Sequence, residues 1–217
     1  MSLKNRFTQP DLDRIKAAVK QAEEKISGEI VPVFVERSGY YSIANYRGAM
    51  ITSAVLFLII IALDRYAPSP DVYDPLFILL WVVLGGLVGA IAANSIPPLK
   101  WVLLNQAHMD QATRKRAENA FLVEEVFNTR HRTGIMIFVS FFEREVIVMA
   151  DRGISKVVDQ KEWDRMVRNI IEKIRIGKVT DGIEAAILRC GEILLEKGFV
   201  KTRDDINELR DDLRFEN

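Results

Sequence analysis

Asp151 and Asp159 flank the stretch Arg152–Val158, and two carboxylates so placed can offer oxygen ligands to a hard cation, Ca2+ or Mg2+. Glu124 lies between Phe121 and Phe127 on the inward side of a helical pattern, where it could reach the same cation or meet an arginine from a strand end. Asp151 directly follows the apolar run Glu145–Ala150, and open α/β sheets hold ligands just outside the carboxyl ends of their strands. Its competing role is to accept hydrogen bonds from nearby backbone N–H groups, as Asp does in turns. Glu29 and Arg132 can be a buried ion pair, with Arg152 as the other candidate partner, a metal ligand with its orienter, or two solvated strand ends, and Arg132 and Arg152 can offer guanidinium groups to phosphoryl oxygens. Glu143, Arg144 and Glu145 fall at a hairpin turn and are expected in solvent. A triplet, Arg114-Lys115-Arg116, can attract anionic lipid or simply be hydrated.

Other chemistry is excluded early. A single cysteine, Cys190, rules out a disulfide framework, a CxxC pair and a Cys-based zinc site, and its place on an apolar stripe makes it a core residue. Two histidines, His108 and His131, leave no HExxH helix. No DxDx(T/V) or CxxxxxR nucleophile motif is present, so no catalytic residue is assigned. With 30 Lys+Arg against 30 Asp+Glu the net charge is zero, which argues against a nucleic-acid binder.

The elements that must position these residues fall into two classes. Sixteen uncharged residues run from Gly48 to Leu63 and twenty-five from Pro75 to Leu99. A helix needs about 20 apolar residues to cross the hydrocarbon core, so the pattern predicts spans at about 44–63 and 75–97. The connector Asp64–Asp74 holds Asp64, Asp71, Asp74 and one base, Arg65, whereas eight Lys+Arg precede Gly48 and twenty-one follow Leu99. The positive-inside rule then predicts a two-pass protein of the cytoplasmic membrane with both termini cytoplasmic. Met1–Asp13 is polar and does not read as a signal peptide. Gly85, Gly89 and Ala93 form a small-residue face for helix packing, against Ala49 and Ser53 of the first span or against a second copy.

The flanking pieces read as one α/β domain interrupted by the hairpin. Thr8 with Asp11 predicts a helix start, and Leu12, Ile15, Val19, Ala22 and Ile26 its apolar stripe. Glu29–Glu36 reads as a strand, with Pro32 favouring a sheet edge or bulge. Asp110–Asn128 predicts a helix, Gly134–Ser140 and Glu145–Ala150 two strands, and two amphipathic helices follow, around Trp163–Ile174 and Ile183–Leu194. The continuously apolar Gly134–Ser140 should be covered on both faces. A charged stretch, Thr202–Leu213, predicts a short exposed helix. The expected organisation is a first part at 1–43, the hairpin at 44–99, the remainder at 100–200 and a charged tail at 201–217.

In this order and spacing, Ser27-Gly28-Glu29-Ile30-Val31, Thr129-Arg130-His131-Arg132-Thr133-Gly134, Glu143-Arg144-Glu145-Val146, Ala150-Asp151-Arg152-Gly153-Ile154, Trp163 and Cys190-Gly191 resemble the TPM-domain family, in its bacterial membrane-anchored branch. The resemblance implies a small α/β sandwich, a divalent-cation site and a role in assembling or modulating membrane complexes. It also implies, as the alternative, a divalent-metal-dependent acid phosphatase. The expected partners are the lipid bilayer and an integral membrane protein; the oligomeric state is left open.

Overall fold

The computed structural model describes residues 6–66, 74–201, 209 and 213–216. The chain divides into two compact units, one of residues 1–38 and 110–217 and the other of 39–109.

In the first unit, helix α1 (Gln9–Glu23) opens on a capping box: the Asp11 N–H donates to Thr8 Oγ1, and the Thr8 N–H donates to the Asp11 carboxylate at 2.9 Å. Four strands, β1 (Glu29–Val35), β2 (Gly134–Ser140), β3 (Glu145–Ala150) and β4 (Arg214–Glu216), form one sheet in the order β3-β2-β1-β4. β1 runs parallel to β2 and β4, and β3 is antiparallel to β2. Alternation along the strands sends Ile30, Phe34, Ile135 and Ile137 to one face, packed with Ile15 of α1, Ile170 of α7 (Gln160–Arg175) and Ile187 of α8 (Val179–Glu196). Val31, Val33, Met136 and Phe138 face Ala117 and Ala120 of α5 (Gln106–Val123) on the other. β2 is buried along its whole length, as its unbroken apolar run requires. The fold is therefore the expected α/β sandwich, with a four-stranded sheet where the sequence predicts three strands.

Three local departures have physical causes. β1 is an interior strand, although Pro32 predicts an edge or bulge. The Glu29 N–H and the Val35 carbonyl both pair on the β2 side, so by alternation Pro32 faces the opposite side, where β4 pairs only Val33–Val35. The missing donor therefore costs no ladder bond. α5 ends at Val123 instead of Asn128: Glu125 turns left-handed at φ 51°, with Val126 N–H bonded to the Phe121 carbonyl and Glu125 N–H to that of Leu122. This is the stop that Gly177 and Gly198 make after α7 and α8, here without the glycine that signals it. The third is β4 itself, in the stretch expected to be a charged tail. The helix expected over Thr202–Leu213 lies outside the described residues, save Leu209 and Leu213, which touch the core.

In the second unit, α2 (Ser42–Tyr66) and α3 (Pro75–Ser95) pack as a hairpin, and α4 (Pro97–Leu103) follows a break at Ile96, where Pro97 disfavours continued helix. Both α2 and α3 are long and apolar enough to cross a membrane, with mean hydropathy 2.0 and 2.6 in their most apolar windows. Gly85, Gly89 and Ala93 are buried on α3. They meet Gly48 and Thr52 of α2: a β-carbon at Gly48 would lie 2.7 Å from the Gly89 carbonyl oxygen and 2.8 Å from the Ala93 methyl. Thr52 donates to the Gly85 carbonyl at 2.8 Å and Ser53 to that of Val82 at 3.0 Å. Ala49 and Ser53 lie one step around, beside Gly86. In hydrocarbon, close approach and interhelical hydrogen bonds are what hold such a pair together. The connector residues Ser69, Asp71 and Tyr73 lie outside the described residues.

Candidate functional site

Asp151, Arg132 and Glu29 lie at one end of the sheet, and that end is the amino end of β1 and β2. β3 runs antiparallel, so Asp151 after its last residue sits beside the starts of β1 and β2 instead of beyond their carboxyl ends. The carboxyl-end argument for a ligand position therefore does not apply to Asp151.

Asp151 is buried and caps the short helix α6 (Arg152–Ser155), accepting from the Arg152 N–H at 2.6 Å. Its second oxygen has no hydrogen bond and lies 3.6 Å from the Arg132 guanidinium. Arg132 has φ 57°, donates to the Phe127 carbonyl at 2.9 Å and stands 5.7 Å over the Phe127 ring. Gly153 permits this packing: its N–H bonds the Arg132 carbonyl, and a β-carbon would come within 2.5 Å of that oxygen. Arg152 is exposed, and Glu29 is buried at the start of β1 with its N–H on the Thr133 carbonyl.

The three carboxylates proposed as metal ligands are not brought together. Asp159 is exposed and caps α7 through the Lys161 N–H, and Glu124 forms a 2.7 Å ion pair with Arg214 of β4. Among the described residues no three His, Cys, Asp or Glu side chains gather closely enough to hold a metal ion. With an arginine as the nearest charge to the open oxygen of Asp151, this donor set does not fit a divalent cation.

The carboxyl end of the parallel strands holds a second cluster, and here the expectation of a solvated turn holds for Arg144, which is exposed, and fails for Glu143. Glu143 is 2% exposed, accepts from the Ser38 N–H at 2.9 Å and takes a short hydrogen bond from Ser140, which itself accepts from the Ser38 hydroxyl. Arg144, with φ 57°, closes the turn between β2 and β3. Glu145 next to it has one oxygen without a hydrogen bond. Burial raises its carboxyl above the ordinary value; a hydrogen bond from Thr113 opposes the shift, and the negative charges of Asp110 and Glu143 add to it. No motif marks this cluster, because Ser38 lies 105 residues from Glu143 in sequence. The one sign available was that Ser140 ends a strand predicted to be wholly buried.

Cys190 is fully buried against Met166, and burial pushes its thiol up to about 12, so it is a packing residue. His108 and His131 are exposed.

Comparison with known proteins agrees with this architecture. No curated protein matches the chain. A solved structure, the NMR structure of the BA42 protein from the psychrophilic bacterium Bizionia argentinensis, matches with a TM-score of 0.59 at 18% identity, covering 97% of this chain and 95% of that one. That likeness is one of fold. The family model described as the TPM domain matches residues 101–193. The matched stretch holds α5, β2, β3, α6, α7 and most of α8, while the structure completes the same sheet with β1 and β4 from outside it.

Proposed function

We propose that this chain is a two-pass membrane protein whose TPM-like domain has a non-catalytic accessory role, docking an integral membrane partner through the hairpin. One observation carries the reading: the inner face of the hairpin is closed by its own small residues, yet a groove of about 430 Å3 remains on the flank, with Ser42, Ala49, Gly86 and Ala90 among its lining and Tyr46, Val83 and Leu87 as its bulkier walls. A partner helix can approach closely over such small residues. The domain supports the same reading, since Asp151, Asp159 and Glu124 cap helices or pair with arginine. The acid-phosphatase alternative rests on the family resemblance and gains no support from the placement of those carboxylates. The orientation with both termini cytoplasmic follows from the basic residues flanking the hairpin.

The test is purification of the full chain in mild detergent beside Ala90→Leu, which fills the flank groove. The reading predicts one stoichiometric integral membrane partner, lost in the variant. An unchanged partner in Ala90→Leu, or no partner, contradicts it.

A further inference from the structure

The outer edge of β1 is blunted in a way that leaves one short slot. The Ile30 N–H is already answered by the Glu23 carboxylate at 2.8 Å, and Pro32 has no N–H to offer. Only Val33–Val35 pairs with an added strand among the described residues, and Arg214–Glu216 fills it. The slot has side-chain preferences as well. Arg214, 8% exposed, meets Glu124, 18% exposed, at 2.7 Å. A residue without a positive charge there leaves a largely desolvated carboxylate uncompensated. Phe215 lies 5.5 Å from Phe34 and 6.1 Å from Phe7, between ring centroids.

We propose that this edge is a strand-docking site for an extended segment carrying a basic residue followed by an aromatic one, and that the chain's own Arg214-Phe215-Glu216 occupies it as an intramolecular strap. Main-chain pairing supplies the attraction in such strand addition, and the alternate side-chain pockets supply selectivity. A three-residue edge strand opens locally without unfolding the interior strands, so a partner segment of the same chemistry can replace it in trans. The inference is independent of the accessory role and of the orientation in the membrane.

The probe is the fluorescently labelled peptide Asp-Asp-Leu-Arg-Phe-Glu-Asn, titrated into full-length protein in detergent. The chain carrying Arg214→Ala and Phe215→Ala should bind it about tenfold or more tighter than the unsubstituted chain, which keeps its tethered competitor. Alanine at the Arg and Phe positions of the peptide, or Glu124→Gln added to the chain, should abolish the gain. Equal binding by both chains, with the variant melting cooperatively, overturns the proposal. Should the variant not fold, hydrogen exchange on the unsubstituted chain decides. The Phe34 amide, which faces β4, must exchange about 100-fold or more faster than that of Val33, which faces β2; equal protection overturns the proposal.

Discussion

Glu145 is the residue whose ionisation works against the fold. Its carboxyl is raised chiefly by burial, so the folded state holds its proton at pH values where the unfolded chain has released it. Its contribution to stability is therefore largest below the ordinary carboxylate range and falls as pH rises through the raised value. Glu145→Gln should raise Tm at pH 7 and leave it nearly unchanged at pH 4, as read by thermal melts across that interval. A variant less stable at pH 7 would show that the carboxylate is stabilising as an ion. At this scale the sequence was a partial guide. Asp151 was legible as a turn or cap residue because an Asp-x-Gly start is local chemistry. The burial of Glu143 was not, since it depends on Ser38 and Ser140, which only the sheet brings together.

At the scale of elements, the Glu124–Arg214 pair joins the turn after α5 to β4. Removing one member of a mostly buried pair leaves the other uncompensated, so Glu124→Ala should cost about 3 kcal/mol in chemical denaturation of the full chain. A loss within experimental scatter would show that the pair adds nothing to the stability of the folded chain. The helices and β1–β3 were legible because each carries its own period of apolar residues. β4 was not: three residues are too few for a pattern, and its register is set by Glu124 and by the Phe7–Phe34 rings. The position of Pro32 was misread for a related reason, as edge character here belongs to one residue's exposed side and not to the strand. On the hairpin, the glycine spacing on α3 was visible and Ala49 and Ser53 do meet α3 beside Gly86, but that Gly89 falls against Gly48 and Thr52 turns on a rotation of α2 that spacing alone leaves free.

For the whole molecule, the two apolar helices and the distribution of basic residues lead to a topology that labelling can read. Cys190 is buried with its thiol raised to about 12, so it should give no background. With a membrane-impermeant maleimide on intact cells, a cysteine placed at Ser69 should react and one placed at the exposed Lys156 should not. Labelling at Lys156 with silence at Ser69 would invert the orientation. The non-catalytic role proposed for the molecule meets its most direct test in hydrolysis of a generic aryl phosphate. The full-length protein would be assayed with Ca2+, Mg2+ or chelator, beside Asp151→Asn. The prediction is the same background rate in every condition, with Asp151→Asn altering Tm alone through the charge lost beside Arg132, since asparagine can still cap α6. Metal-dependent turnover that disappears in Asp151→Asn would contradict it and make the domain an enzyme.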